Sequence, residues 1–165
     1  MNTTDAPFDA PIIAYHVTRM RPGIEAERGL RLKGYAAVFN QATNLGSFME
    51  RIDPDAFRFT QLRDVRFMVN HAGLPMGRTT AGTLQLGVDN VGLHYTVQLP
   101  DTEAGRELHR AVERGDVTGS SFGFTIEGEV WNVAEGLRTI TSVGQVFEVS
   151  AVAFPAYEGT SVQVA

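Results

Sequence analysis

The sequence lacks cysteine altogether and has fewer basic than acidic residues, and each shortage excludes a class of function. Without cysteine there is no disulfide, no thiolate nucleophile and no cysteine-ligated zinc. The 14 lysines and arginines stand against 19 aspartates and glutamates, which gives a formal net charge of −5. The basic footprint of a nucleic-acid-binding domain is therefore missing, and we expect neither nucleic acid nor a membrane surface as a partner.

Long apolar segments are also missing. No run approaches the roughly 18 residues of a membrane-spanning helix, and residues 1–10 lack the basic and apolar regions of a secretory signal. We expect a soluble protein that works in the compartment where it is made. The length of 165 residues predicts a single domain, with residues 1–11 as a mobile N-terminal segment and residues 12–165 as the folded unit.

The pattern of apolar residues predicts many short strands. They are expected at residues 12–19, 35–39, 48–52, 65–70, 84–88, 93–99, 122–133, 137–142 and 145–154. Many short strands with one or two helices are typical of an α+β or barrel-like domain.

Capping signals predict two helices. Asp53-Pro54 places an N-cap and a first-turn proline before a short helix. Its buried residues would be Ala56, Phe57 and Leu62. Asp101-Thr102 and Gly115 bracket a longer helix over residues 103–114. Its apolar stripe would consist of Ala104, Leu108, Ala111 and Val112.

Two adjacent serines, Ser120 and Ser121, stand where one predicted strand begins. The apolar residues that alternate from Phe122 to Ile126 would face the core, so Ser121 would share the other face with Gly123. Because glycine leaves room for another backbone to approach, this position suits a nucleophilic hydroxyl. Serine near glycine at a strand entrance is also an ordinary turn residue, and this stretch alone does not decide between the two.

Among the four histidines, His71 has the context of a catalytic base. It continues the inward-facing alternation of Val65–Val69 and precedes residues 72–75, where a Gly/Pro loop is expected to turn the chain. Catalytic groups often occupy such strand ends, although a structural or merely exposed histidine fits the same pattern. The other three are expected to be solvated or to lack a polar companion: His16, His94 and His109.

Glu148 interrupts an apolar run, Val146–Phe154, in which both strand faces are otherwise nearly apolar. An unpaired carboxylate inside such a strand would cost several kcal/mol of desolvation. One interpretation is a structural acid that binds backbone amides or an arginine such as Arg78 or Arg138. The other is a carboxylate that binds an imidazole.

Taken together, Ser121, His71 and Glu148 supply the three groups of nucleophilic acyl transfer. A hydroxyl is activated by an adjacent base, and a third group fixes the tautomer of that base. Such sites are defined by geometry rather than by chain order, and the sequence does not show that the three residues converge.

Five separated segments carry a family resemblance. They are Gly34–Phe39, Glu50–Phe57, Asn70-His71 with Gly77-Arg78, Arg114–Phe124, and Phe147–Tyr157. In this order they resemble the motifs of the prohead (capsid maturation) serine proteases of tailed bacteriophages, whose fold is like that of herpesvirus assemblins. Asp55 and Ser120 depart from the family's usual residues.

The resemblance implies a mostly antiparallel β-barrel of α+β class with a few short flanking helices. It also implies a serine endopeptidase with Ser121 as nucleophile, His71 as general base and Glu148 as third member. Ser120 is a secondary candidate for the nucleophile, because the choice of Ser121 rests on the motif. Arg78 is a secondary candidate for electrostatic support. No cofactor or metal is implied.

The resemblance further implies partners and a location. The substrates would be the scaffolding segment of the major capsid protein and the protease itself. Cleavage would occur inside the immature capsid in the cytoplasm of the bacterial host, in a phage or a domesticated phage-like particle. Since related viral proteases are switched on by association, association between copies of this chain is a further implication.

Two other interpretations remain open at this point. One is a catalytically silent capsid or scaffold component with the same fold. The other is a β-barrel binding module in which Glu148 is a buried structural acid. The binding-module interpretation predicts that the side chains of His71 and Glu148 lie far apart.

Overall fold

A computed structural model of the chain describes residues 29–157 and 159–165. Predictions for residues 1–11, for a strand at 12–19 and for His16 lie outside these described residues. Within them the chain forms ten strands and one helix. The strands are β1 (Arg31–Val38), β2 (Thr43–Asn44), β3 (Met49–Ile52), β4 (Arg66–Val69), β5 (Ala72–Arg78), β6 (Leu84–Val88), β7 (Gly92–Gln98), β8 (Gly119–Asn132), β9 (Leu137–Val152) and β10 (Ser161–Val164). The helix is α1 (Glu103–Arg114).

The strands form two sheets. The four-stranded sheet has the order β10-β1-β7-β6 and is antiparallel throughout. The second sheet is built on β9, one continuous strand of 16 residues where two separate strands were expected. One edge of β9 pairs in parallel with β3 and then with β4, while β8 pairs antiparallel along the other edge. Strands therefore dominate, as predicted, and most pairs are antiparallel. No ring of strands closes among the described residues, so the predicted barrel is not confirmed.

The core lies between the two sheets. The ring of Phe67 on β4 contacts that of Tyr95 on β7, with centroids 5.4 Å apart. Phe122 and Phe124 of β8 are buried, and Ile126 packs partly buried against the core, as the alternation predicted. Because successive side chains of a strand point to opposite faces, the residues between them lie on the outer face of the second sheet. That face carries the candidate site.

Helix α1 begins and ends where the capping signals predicted. The Thr102 hydroxyl accepts a hydrogen bond from the Gly105 N–H, and Gly115 ends the helix at φ 80°. One prediction about its buried stripe is wrong: Ala104 is exposed, while Gly105 is buried beside Leu108 and Val112. An ideal Cβ at Gly105 would lie 2.1 Å from the Pro100 carbonyl oxygen, so the close approach there requires glycine.

The short helix expected after Asp53-Pro54 is absent, and the chain instead makes successive turns through residue 59. The prediction of its buried residues is confirmed, because Ala56, Phe57 and Leu62 are all buried. Long-range bonds explain the difference. The Ala56 carbonyl accepts the Val143 N–H at 2.9 Å, rather than bonding within a helical turn. No helix in the described part of the chain has the length and apolar character needed to cross a membrane.

Candidate active site

Strand β9 places two polar side chains of the candidate site on one face. Glu148 and Ser150 are two residues apart, so they point to the same side of the sheet. The Ser150 hydroxyl donates a hydrogen bond to Glu148 Oε2 at 2.6 Å. Ser150 is fully buried, whereas 17% of the Glu148 side chain remains exposed.

The β4–β5 hairpin presents His71 at its tip. Val69 pairs with Ala72, which leaves Asn70 and His71 as a two-residue turn. Their φ angles of 48° and 59° are both in the left-handed region, as type I′ hairpin turns require. The prediction of a turn at residues 72–75 is therefore wrong, because those residues already belong to β5. A tight turn explains why His71 projects from the sheet end instead of continuing the inward-facing series.

Three hydrogen bonds hold this turn against β9 and the residue that follows it. The Asn70 N–H donates to the Ala151 carbonyl at 3.0 Å, and the Asn70 side-chain oxygen accepts the Ala153 N–H at 3.1 Å. The His71 N–H donates to the Ser150 hydroxyl oxygen at 3.1 Å. The backbone of the histidine is thereby fixed to the strand that carries Glu148.

His71 and Glu148 are in direct contact. The His71 Nδ1 atom lies 2.5 Å from Glu148 Oε1, and 43% of the histidine side chain is exposed. The expectation of a large separation, made for the binding-module interpretation, is wrong. Neither arginine considered as a partner for Glu148 is bound to it: Arg78 binds Asp64 and Arg138 binds Glu50.

Ser121 lies on the same outer face. It is paired across the β8–β9 ladder with Ser150, and Gly123 is paired with Glu148. Directly paired residues of antiparallel strands point to the same side, with Cβ atoms about 5 Å apart. Gly123 therefore leaves the space beside the carboxylate free of a second side chain. Only 7% of Ser121 is exposed, and no side chain in the described part of the chain, His71 included, hydrogen-bonds its hydroxyl.

Ser120 points into the core and is fully engaged there. Its hydroxyl donates to the Ser161 carbonyl at 2.8 Å and lies 2.7 Å from the Tyr95 hydroxyl. Since the only hydroxyl proton of Ser120 goes to Ser161, Tyr95 is the donor of the second bond. Burial raises the pKa of Tyr95, so that donor stays protonated. Ser120 is completely buried, and it is separated from the His71–Glu148 pair by the sheet itself.

Arg78 is bound away from the site. Its Nε and Nη2 atoms donate to the two carboxylate oxygens of Asp64 at 2.6 and 2.8 Å. The hydrogen bond from Arg78 lowers the pKa of Asp64 to about 2. Arg78 is paired with Arg66 on β4, which is in turn paired with Glu148 on β9, so two strand spacings separate it from the carboxylate. It acts within the hairpin, and the structure does not bring it to the candidate triad.

Ser150 and Asn70 are the contributors that the sequence reasoning missed. A signal for Ser150 was present, because it follows Glu148 by two residues on the same strand face. The contact of Asn70 with Ala153 has no local signature, since it depends on the pairing of β4 with β9. Among residues 29–157 and 159–165 no group of three acidic or histidine side chains is arranged to hold a metal ion.

The geometry suits base catalysis by an imidazole. With Nδ1 bound to the Glu148 carboxylate, the free ring nitrogen, Nε2, is the atom that can accept a proton. The hydroxyl of Ser121, to which no described side chain is hydrogen-bonded, lies on the same face of the sheet. These are the components of an activated-hydroxyl site.

Comparisons with known proteins give the family of the chain. A family model described as caudovirus prohead serine protease matches residues 17–165. The prohead protease of Enterobacteria phage HK97 is 28% identical over 152 residues, which make up 88% of this chain and 64% of that protein. The chain thus spans less than two thirds of that relative's length. A solved structure of KSHV protease in complex with a hexapeptide phosphonate inhibitor aligns with a TM-score of 0.49 and 14% identity, over 82% of this chain and 64% of that one. Because the family model matches most of the residues of this chain, the chain belongs to the caudovirus prohead serine protease family.

Proposed function

We propose that this chain is a prohead maturation serine endopeptidase that acts through an acyl-enzyme on Ser121. The observation that carries the proposal is the hydrogen bond between His71 Nδ1 and Glu148 Oε1, on the sheet face that also presents Ser121. Family membership supports the same activity. Ser121 is preferred to Ser120, because the hydroxyl of Ser120 is committed to Ser161 inside the core.

In the first half of the reaction, His71 Nε2 takes the proton of Ser121 as the hydroxyl oxygen attacks a peptide carbonyl carbon. The new C–O bond gives a tetrahedral oxyanion, whose collapse breaks the C–N bond. The proton held by His71 passes to the departing amine. In the second half, His71 deprotonates a water that attacks the ester, and the acid product leaves as the proton returns to Ser121.

Glu148 has two roles in this scheme. Its hydrogen bond keeps the neutral imidazole in the tautomer with the proton on Nδ1, so that Nε2 is free to act as the base. Its negative charge then stabilises the imidazolium that forms during attack. The missing hydrogen bond between Ser121 and His71 is compatible with this scheme, because catalytic contacts often tighten only when substrate binds.

The proposed substrates are the scaffolding segment of the major capsid protein and the protease itself. Both would be cleaved within the prohead, in the cytoplasm of the bacterial host, during assembly of a phage or phage-like capsid. The family's name supports this setting, and the relative from phage HK97 is itself called a prohead protease. Association between copies of this chain belongs to the same proposal.

The test is co-expression with the cognate capsid protein followed by intact-mass analysis. The unmodified chain should yield a capsid protein shortened at its N-terminus, and Ser121→Ala should abolish that product. Ser120→Ala is the matched control on the neighbouring position. It should retain cleavage but lose about 1–3 kcal/mol of stability, because the Tyr95 hydroxyl loses its buried partner. Equal processing by wild type and Ser121→Ala, in co-expression and again in assembled particles, would refute the proposal.

The alternative is a catalytically silent assembly component with the same fold. It is favoured by one observation, the absence of a hydrogen bond between the hydroxyl of Ser121 and the described side chains around it. It predicts full-length capsid protein with both wild type and Ser121→Ala, in co-expression and in assembled particles.

A further inference from the structure

We infer that Ser150 is a positioning residue for the candidate triad, an inference that rests on the proposed function. Its single hydroxyl joins the two members that must be aligned. It accepts the backbone N–H of His71 at 3.1 Å and donates to Glu148 Oε2 at 2.6 Å. It touches neither of the reacting groups, the hydroxyl of Ser121 and the His71 ring nitrogen Nε2, through a hydrogen bond.

The bond to Glu148 selects how the carboxylate is oriented. Because Oε2 is occupied by the Ser150 hydroxyl, Oε1 is the oxygen directed to His71 Nδ1. Without this second bond, the imidazole would be the one remaining hydrogen-bond partner of the carboxylate among the described residues. The terminal torsion of glutamate is intrinsically broad, so the carboxylate could then rotate more freely. Ser150 thus fixes a flexible side chain in the one geometry that the imidazole can use.

The bond to His71 stabilises an unfavourable backbone. His71 has φ 59°, a left-handed conformation that is unfavourable for a residue other than glycine. Ser150 accepts the N–H of that same residue, while the neighbouring Asn70 is held by Ala151 and Ala153. The hydroxyl therefore helps to keep the turn in the conformation that aims the ring at Glu148.

The pairing of β8 with β9 also places Ser150 beside the candidate nucleophile. Ser150 is the direct partner of Ser121 in the β8–β9 ladder and of Met68 in the β4–β9 ladder. It is also completely buried, so its hydroxyl makes these bonds without competition from bulk water. One side chain at the centre of the sheet thus relates the positions of all three candidate catalytic residues.

The test measures how fast a serine-reactive fluorophosphonate forms an adduct on Ser121 in the full chain, with intact mass as readout. Ser150→Ala should slow adduct formation about 10- to 100-fold, the range expected for a small misplacement of catalytic groups. Ser150→Cys replaces the hydroxyl by a slightly larger thiol that forms weaker hydrogen bonds. It should show the same slowing, and it takes the place of the alanine variant if that variant fails to fold. Ser142→Ala removes another β9 serine, away from the candidate site, and should react at the wild-type rate.

A second readout reports on positioning alone. A proton shared between a histidine ring nitrogen and a carboxylate gives a far-downfield NMR resonance. Glu148→Gln identifies this resonance by removing the carboxylate. Ser150→Ala and Ser150→Cys should broaden or abolish it, whereas Ser142→Ala should leave it intact. A merely structural role for Ser150 would lower thermal stability without changing this signal in the folded protein.

The outcomes separate this inference from the proposed function. Wild-type reaction rates in the Ser150 variants, together with an unchanged resonance, would overturn the positioning role. If wild type itself formed no adduct on Ser121, the proposed function would be in question and the resonance would still decide the role of Ser150. If the resonance were present in wild type and lost in the Ser150 variants, that loss would support the positioning role. Persistence of the resonance in the Ser150 variants would overturn the positioning role.

Discussion

At the scale of single residues, two adjacent serines have opposite environments because side chains alternate across a strand. Ser120 faces the core, where it donates to the Ser161 carbonyl and accepts from Tyr95. Ser121 faces outward, opposite Ser150. The sequence placed both at the strand entrance, but it could not tell which one was committed to structure. That distinction required the pairing of β8 with β9 and the contact between the two sheets.

Glu148→Gln tests the residue-scale chemistry. The amide can donate to His71 Nδ1, which would favour the tautomer with its proton on Nε2, the nitrogen that must accept from Ser121. We expect the rate of adduct formation on Ser121 to fall by roughly 10⁴-fold, as for the equivalent change in a serine protease triad. Glu135→Gln, in an exposed turn, is the matched control and should react normally. A fall of less than tenfold in Glu148→Gln would show that the carboxylate does not set the tautomer.

At the scale of elements, the β4–β5 hairpin is the support of the candidate base. Asp64, just before β4, binds Arg78 at the end of β5 and also Arg66 at the start of β4. The ion pairs close the end of the hairpin opposite to the Asn70-His71 turn. Helix α1 was predictable, because its capping residues stand immediately before and after a short local pattern of apolar residues. The tight turn at His71 was not, because its register is fixed by the distant strand β9.

Asp64→Asn should destabilise the fold in a pH-dependent way. The hydrogen bond from Arg78 lowers the pKa of Asp64 from 3.8 to about 2, so folding favours the ionised form. The stabilisation is complete above the unfolded-state pKa and is lost as the pH falls toward 2. Because the pair is more than a third exposed, we expect a loss of only about 0.5–1 kcal/mol near neutral pH. Urea unfolding at a series of pH values measures it.

Asp55→Asn serves as the control for that series, since Asp55 is exposed and makes no ion pair with the described residues. It should match wild type at every pH. A stability difference for Asp64→Asn that stayed constant down to about pH 3 would show that the ionisation of Asp64 does not contribute.

At the scale of the whole molecule, a buried polar network links the start of the second sheet to the segment after β9. Arg138 binds Glu50 and lies over the ring of Phe48 at 4.8 Å. The Tyr157 hydroxyl donates to the other oxygen of Glu50, and burial raises the pKa of Tyr157 well above its usual value. The Tyr157 ring also packs on Phe122, next to the candidate nucleophile, with centroids 5.7 Å apart. Through this ring contact the network reaches the residue that follows Ser121 in the chain.

Glu50→Ala should be among the most destabilising single substitutions in the chain. It would leave the Arg138 guanidinium nearly buried without its main partner, which typically costs about 3–5 kcal/mol. Denaturant unfolding of Glu50→Ala, Arg138→Ala and the double variant provides the measurement. The double variant should be less destabilised than the sum of the two single variants, because the second substitution removes the stranded charge. Strict additivity would contradict a direct coupling.

The sequence predicted the features that depend on residues close together in the chain, such as strand alternation and helix caps. It did not predict the contacts that depend on pairing between distant strands. Alternation at Phe122 and Phe124, and the capped helix at 103–114, needed only local patterns. The helix expected after Asp53 is replaced by turns because a carbonyl there bonds to Val143. Glu50 lay within a recognised motif, but its buried partner Arg138 is 88 residues away in the chain. The pairing of His71 with Glu148 was proposed as one of two alternatives, and only the parallel β4–β9 pairing distinguishes them.

The parallel pairing of β9 also has a consequence for the timing of synthesis. His71 and Glu148 are 77 residues apart, and β9, the strand that joins them, follows all but one of the other described strands. A ribosome that has completed the histidine hairpin, and even the strand with Ser121, has not yet produced the carboxylate or its supporting hydroxyl. Contacts of such long sequence separation form late and slowly. A nascent chain would thus lack the assembled candidate triad until β9 had been translated, so the three groups could not act together before that point.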